Sequence, residues 1–498
     1  MLSNETQALL SKIFQWGALL FVIFIGVVFL SVVVIYFIDR FQTKHAVKRN
    51  YPVIGRFRYL FEHIGEFFRQ YFFAMDREEL PFNRAQRSWI YRAAKNIDNT
   101  IAFGSTRDSK KTGNVIFVNC AYPTMQKDAV SPRSITVGEN CKTPWTTNSF
   151  FGVSAMSFGS ISKPAVLALS SGAAKAGTWL NTGEGGLSPY HLKGGADIIF
   201  QIGTAKYGVR NEDGSLDDEK LKQVTAHEQV KLIELKLAQG AKPGKGGILP
   251  GEKVTPEIAA IRGIPEGQDS ISPNRHPEIN SNPELLDMIV HMRQVSGKPV
   301  GFKTVVGSPE WLEELMLDIK AKGIDKAPDF ITLDSADGGT GAAPMTLMDD
   351  MGLTIRETLP MLIDALKRHG LRDRIKVFTS GKLVNPADVA WALCVGADFC
   401  SAARGFMFSL GCIQSLQCNK NTCPTGVATH DRKLQRGLVI KNKADRVAHY
   451  AKNMMYAVGT IAHSCGVKEP RELAQKHARV VQENGLSVPL NKYNENKS

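Results

Sequence analysis

From about residue 150 onward, short apolar runs alternate with longer stretches of helical periodicity, and this alternation limits the chain to folds built on a parallel sheet. The strand-like runs are FFGVSAM (150–156), TWLNTG (178–183), DIIFQIG (197–203), PVGFKTV (299–305), DFITLDS (329–335), IKVFTSG (375–381) and ADFCSAA (397–403). Helical patterns lie between them at 162–176, 220–238, 283–296, 309–322, 354–369 and 385–394. No dinucleotide-type glycine fingerprint follows the first run, so a closed (β/α)8 TIM barrel is favoured over an open sheet. Seven units are visible, and the eighth is placed inside 239–283, a Gly- and Pro-rich segment too long for an ordinary connection and therefore read as functional.

The other strong constraint lies at the start. Residues 13–38 are apolar and uncharged, and at about 1.5 Å per residue they reach across a hydrocarbon core of roughly 30 Å. A cleaved signal sequence or a buried core helix would be shorter or differently flanked. Arg40, Lys44, Lys48, Arg49, Arg56 and Arg58 follow the run, against Lys12 and Glu5 before it. That asymmetry predicts a single-pass membrane protein with its C-terminal body cytoplasmic. Residues 40–149 are basic and aromatic. FRYLFEHIGEFFRQYFFAMD has the spacing of an amphipathic helix that either covers the main domain or lies at the bilayer surface. The expected organisation is 1–39 tail and membrane helix, 40–149 a mainly helical extension, 150–435 the barrel, and 436–498 a C-terminal helical region ending in the polar tail NKYNENKS. The net charge of +13 is concentrated partly beside the membrane run, and no nucleic-acid motif accompanies it, so nucleic acid is not an expected partner.

In a barrel of this type the chemistry sits where strands end. The polar groups there are Ser154, Met156 and Ser157; Glu184 within NTGEGG; Gln201; Lys303; Asp334 with the DGGTG turn containing Gly339 and Thr340; and Ser380 with Gly381. TSGK, together with AARGF before a short helix at 405–411, has the character of a phosphate site, to which Arg404 could add a bidentate contact. Lys303 at an apolar mouth suits an anionic flavin edge or a substrate carboxylate, although a snorkelling lysine would look the same.

GCIQSLQCNKNTCPTG (411–426) sets Cys412, Cys418 and Cys423 as C-x5-C-x4-C before Pro424. Thiolates at such spacing select zinc or iron–sulfur clusters. Zinc would need a fourth ligand, for which His430 is the near candidate. Three ligands without a clear fourth suit a 3Fe-4S cluster better, and three merely buried thiols are the bland alternative. Cys120, Cys141, Cys394, Cys400 and Cys465 are scattered and read as buried small apolar residues.

SAMSFGSIS, NTGEGG, AQGAKPGKGGILPG, DGGTGAAP, TSGKL and GCIQSLQCNKNTCPTGVAT together resemble the FMN-binding synthase domain of glutamate synthase over about residues 145–435, and the whole chain is similar to shorter membrane-anchored relatives of that family. The resemblance implies FMN in the barrel, a 3Fe-4S cluster on the three cysteines, and reduction of 2-iminoglutarate, formed from 2-oxoglutarate and ammonia, to L-glutamate. It implies that Ser154 and Met156 line the flavin, that Gln201 and Lys303 contact flavin or oxo acid, and that Gly339 and Thr340 border the substrate loop. Gly381 would meet the FMN phosphate, and Glu184 would lie near the path of ammonia. Neither an amidotransferase nucleophile nor a nicotinamide fingerprint is visible. Ammonia or another amine, and electrons from a ferredoxin or separate reductase subunit, are therefore expected. The alternatives are the same cofactors acting on another oxo acid or amine, or a membrane-held electron-transfer or scaffold subunit.

Overall fold

The computed structural model describes residues 4–495. Residues 1–3 and the last three of the polar tail, 496–498, lie outside the described residues. The chain divides into two compact units, one up to Ala85 and one from Gln86 onward.

The first unit is helical: α1 (Asn4–Phe41), α2 (Ala46–Asn50) and α3 (Gly55–Phe68), the last continued by a π-helical turn over Arg69–Phe73. α1 is long and apolar enough to cross a membrane, and its large side chains are exposed. Regular structure over 40–149 is mainly helical as far as Ala94, after which three short strands, Val115–Phe117, Ile135–Val137 and Trp145–Thr147, replace it.

The second unit is built on a closed parallel barrel of eight strands. They are β1 (Phe151–Val153), β2 (Trp179–Asn181), β3 (Asp197–Ile202), β4 (Val230–Lys236), β5 (Val300–Val305), β6 (Phe330–Asp334), β7 (Lys376–Ser380) and β8 (Phe399–Ala402). β8 pairs back onto β1 through Ala402 and Val153, which closes the ring. The helices between strands start where the sequence signals them. Ser162, Ser281, Ser308 and Asn385 each accept a backbone N–H three residues on, with proline in the first turn.

One expectation is corrected. The eighth unit does not lie inside 239–283: it is β4, within the stretch 220–238 read as one helix. The helix there spans only Asp218–Thr225, and Val-Lys-Leu-Ile-Glu-Leu-Lys then runs as a strand in which every residue but the two lysines is buried. The long segment instead carries a two-stranded hairpin, Ile248–Leu249 with Ser270–Ile271. Helix Ile440–Ser464 packs on the first barrel helix, Lys163–Ala176, so closely that a side chain at Gly172 would meet Val447 at 2.5 Å. The region after that helix is not wholly helical, because Ala478–Val481 pairs with both Val115–Phe117 and Ser487–Pro489.

The hairpin of Ile135–Val137 and Trp145–Thr147 plugs the end of the barrel at which the strands begin. Val137 and Trp145 join Trp179, Ile199, Leu232, Phe330, Phe378 and Phe399 in one buried cluster. Trp145 stacks edge-on against Trp179 at 5.7 Å and donates its indole N–H to Asp197 at 2.7 Å, satisfying the polar handle of a buried ring. Closing this end with aromatic side chains leaves the other end for chemistry.

β1 can approach β2 because position 152 is glycine, where a Cβ would stand 2.3 Å from the Trp179 ring. Gly152→Val should lower stability by about 1–3 kcal/mol through overpacking. A reduced thermal unfolding midpoint of the purified chain checks this, and an unchanged midpoint would contradict the packing described.

Candidate active site

Strand register brings the predicted polar groups together. Gln201 on β3 stands beside Glu234 on β4, and Lys303 on β5 lies between Lys236 and Thr332 on its neighbours. Glu234 is 1% exposed, and a carboxylate in such a place needs donors. It accepts hydrogen bonds from Gln201 Nε2 at 2.6 Å, from Asn181 Nδ2 at 2.8 Å and from the Thr332 hydroxyl. Lys303 Nζ lies 3.1 Å from Asp334 Oδ2. Asp334 is held further by the Ser380 hydroxyl at 2.7 Å and the Gly240 N–H at 3.1 Å. Burial alone would push the Lys303 ammonium toward neutrality, but Asp334 and Glu234 outweigh it and hold its pKa above the ordinary lysine value. For Asp334 burial works upward, and Lys303, Ser380 and Gly240 overcome it, keeping the carboxyl below its usual range. Both groups are therefore charged at neutral pH.

Glu184 lies beside this pair of strands. Its carboxylate is 3.0 Å from Lys236 Nζ and sits between two backbone approaches, Gly203 and Gly247, where a Cβ would stand 2.5 Å and 2.4 Å from its oxygens. Only glycine at those positions leaves room for it. Burial raises its pKa, but Lys236, then Lys242 and Arg262, bring it below the usual glutamate value.

Two long loops cross the mouth and are tied to each other. Gln239 Nε2 donates to Gly339 O at 3.0 Å and Lys242 Nζ to Ala342 O at 3.2 Å. Arg404, at the start of helix Arg404–Leu410, donates to Asp337 O at 2.9 Å, so in this structure its guanidinium holds the DGGTG turn. Thr340 turns its hydroxyl to Ala342 O. Gly381 leaves β7 with φ +118°. On the β1 side Ser154 N–H donates to Ala402 O at 3.0 Å, Met156 is 7% exposed, and the Ser157 hydroxyl donates to Ser160 at 3.0 Å. These positions gather cations, an amide, hydroxyls and close-lying backbone at the C-terminal ends of the barrel strands. Such a donor set suits a phosphate-bearing, polar-edged cofactor together with a dicarboxylate.

The cysteine loop follows helix Arg404–Leu410. Gln414, Leu416 and Asn421 all have positive φ, +59°, +55° and +56°, conformations that cost L-residues roughly 1–2 kcal/mol each unless anchored. The anchors are identifiable. Asn421 accepts from Thr429 and from the His430 N–H at 2.7 Å, and Tyr91 donates to Cys412 O at 2.6 Å. Lys253, 2% exposed, converges on three carbonyls: Ser160 O at 2.8 Å, Cys418 O at 3.1 Å and Ala428 O at 3.3 Å. His430 Nε2 is engaged with Gly159 O at 2.8 Å, and Cys412, Cys418 and Cys423 are the thiols of this loop.

Burial pushes the Cys412 thiol up to about 12, with charges on Cys418 and Cys423 adding to the effect. Burial and Cys423 raise Cys418. Burial also acts upward on Cys423, but hydrogen bonds from the Thr425 side chain and from the Ala428, Thr425 and Val427 backbone bring it below the ordinary thiol value. The three thiols are thus near enough to oppose one another's ionisation, and one already sits in a nest of donors suited to a thiolate. Among the described residues no group of three His, Cys, Asp or Glu converges on a single metal position. Three thiol donors on one loop are of the kind that zinc or an iron–sulfur cluster takes.

Glu234, Lys236, Gln239, Lys242 and Lys253 were not singled out from sequence. Glu234 had a signal, the lone acid of the strand VKLIELK, in a row with Val230, Leu232 and Lys236. The three loop residues, Gln239, Lys242 and Lys253, had only their place in a long Gly-rich segment.

A family model described as a conserved region in glutamate synthase matches residues 102–468. The chain is 42% identical to the glutamate synthase large subunit-like protein YerD of Bacillus subtilis, over 94% of this chain and 96% of that protein. It is 34% identical to the archaeal-type glutamate synthase (NADPH) of Thermotoga maritima, over 63% of this chain and 58% of that enzyme. Among solved structures, a flavocytochrome b2 variant with sulfite bound matches at a TM-score of 0.47 and 14% identity, over 82% of this chain and 87% of that one. So distant a likeness carries no argument.

Lys303→Met should destabilise the protein by about 3–5 kcal/mol, because it strands the buried Asp334 carboxylate. Asp334 without its partner would have a folded pKa above its unfolded value, so the penalty should shrink as pH falls from 7 toward 5 and the carboxyl protonates. Lys303→Met combined with Asp334→Asn should recover most of the loss. Denaturation midpoints across pH check both, and a pH-independent penalty would contradict the pairing.

Proposed function

Because the chain belongs to the glutamate synthase family of oxidoreductases, we propose that it holds FMN in the barrel mouth and reduces 2-iminoglutarate, formed from 2-oxoglutarate and ammonia, to L-glutamate. The observation that carries this reading is the ring of buried charge at the strand ends, with the cysteine loop pinned beside it by Lys253.

The residues divide the work by chemistry. Ser154, Met156 and Ser157 line the flavin ring. Ser380, Gly381 and the cationic Arg404 serve its phosphate, whose charge calls for hydroxyl, backbone and guanidinium donors. Lys303 and Gln201 face the flavin edge and the oxo acid, and Lys236 adds a second cation for a dicarboxylate. Gly339 and Thr340 border the substrate, held in place by Gln239 and Arg404. Glu184, charged and fixed in its glycine cradle, orients ammonia beside Lys236. Cys412, Cys418 and Cys423 hold a 3Fe-4S cluster. When bound, FMN supplies a hydride for the imine carbon and the cluster supplies one-electron relay from an external donor, a ferredoxin or a separate reductase. The imine nitrogen takes its proton from solvent or a neighbouring acid, which completes the amine. The loops crossing the mouth exclude water and fix orientation, which is where the protein's own contribution to rate lies.

α1 is read as the single membrane span. The cations that follow it, Arg40 through Arg58, favour a cytoplasmic position for the barrel.

Anaerobic incubation of the full chain with 2-oxoglutarate, ammonium and a chemically reduced viologen should yield L-glutamate. Reoxidation of the donor without glutamate would favour another oxo acid or amine, and no reoxidation would refute the activity. Cys418→Ser should lose iron while keeping the fold by circular dichroism. Unchanged iron content would refute the ligand assignment.

A further inference from the structure

The active-site reading leaves α3 and its π-helical continuation without a role. At 100° per residue, Phe57, Leu60, Phe61, Phe67, Phe68 and Phe72 fall on one side of this helix, and Arg58, Glu62, Glu66 and Arg69 on the other. The apolar stripe contains no charged residue. Its members are between 42% and 66% exposed, although surface phenylalanines of a soluble protein are usually scattered. Neighbouring rings lie along the stripe, Phe57 with Phe61 at 6.3 Å, Phe67 with Tyr71 at 4.7 Å and Phe68 with Phe72 at 5.4 Å.

The helix is fixed to the end of the apolar run. Asp39, in the last turn of α1 and 0% exposed, takes both arms of Arg56, with Nε at 2.8 Å from Oδ2 and Nη2 at 2.8 Å from Oδ1, and accepts the Val53 N–H at 3.0 Å. Arg56 is the first cationic residue of α3, so one bidentate pair ties its start to the boundary of α1. A helix tied at its start to the end of a membrane-spanning segment begins at the level of the lipid headgroups. An aromatic stripe backed by mixed charge is the composition that lies in such a region rather than across it.

We propose that α3 and its continuation lie along the membrane surface, with the phenylalanine stripe set into the boundary between headgroups and acyl chains. The occupant of this surface is a phospholipid bilayer, and the inference rests on the reading of α1 as a membrane span. It gives the chain a second attachment that restrains the first unit at the bilayer, beyond what a lone span and a free linker would do.

The test uses the full chain in vesicles of phosphatidylcholine and phosphatidylglycerol, with p-benzoylphenylalanine placed singly at Phe24, Phe61, Phe68 or Glu62 and lipid adducts measured by mass spectrometry after illumination. Phe24, Phe61 and Phe68 should give adducts at comparable yield, and Glu62 at least five-fold less. Adducts at Phe24 with none at Phe61 and Phe68, or with protein cross-links there instead, would overturn the surface helix while leaving the span intact. Equal labelling at Phe61 and Glu62 would overturn the assigned face. No adduct at Phe24 would overturn the span, and this inference with it.

Discussion

The mouth of the barrel depends on one buried interaction, the ion pair of Lys303 with Asp334, set beside the carboxylate of Glu234. Charges so deep in a protein cost several kcal/mol each unless they are paired and their remaining lone pairs and protons are used. Here the compensation comes from different strands: Asn181 from β2, Gln201 from β3, Thr332 from β6 and Ser380 from β7. Such a lattice can exist only if the ring of strands closes in one register, since a slip by a single residue would turn each of these side chains outward. The polar lattice and the barrel therefore specify each other. Its maintenance is most stringent between the carboxylate and lysine ranges of pH: Asp334 and Glu184 contribute above about pH 4 and Lys303 below about pH 10.

From that lattice the constraint passes outward through loops. Asp334 accepts the Gly240 N–H, which places the start of the long Gly-rich segment over the mouth. The same segment returns with Lys253, whose three carbonyl partners join the β1 loop to the cysteine loop. The cysteines are thus positioned by a residue far from them in sequence and by His430, which bridges to Gly159. Loops of this length are expected to be mobile unless tied, and here each is tied to another at least once.

Much of this was legible in the sequence. Seven strands and most of the helices between them could be placed because the apolar runs are short and several are followed by a Ser or Asn cap with proline next to it, as at Ser162, Ser308 and Asn385. β4 was hidden because LKQVTAHEQVKLIELKLAQG carries no glycine or proline between helix and strand, so helical and alternating periods merged. The candidate residues at strand ends could be named, but not their partners. That Glu184 would need the glycines of two distant segments, or that Lys253 would reach the cysteine loop, follows from three-dimensional proximity alone. The hairpin at 135–147 was invisible for a related reason. Its strands are three residues each, and Trp145 marks a plug only once Trp179 and Phe399 surround it.

The amphipathic segment after α1 shows the opposite case: its sequence allows two readings, a cover for the main domain or a helix at the bilayer surface, and we propose the second. The centre of the account remains the barrel mouth, where we propose that the lattice of buried charge takes an anionic, ring-bearing partner. Heat release and chromatographic assay of flavin from the purified full chain, after anaerobic reconstitution with FMN, tests that most directly. FMN retained in equimolar amount with the chain is the expected result. A chain that retains none, with its fold intact by circular dichroism, would contradict it.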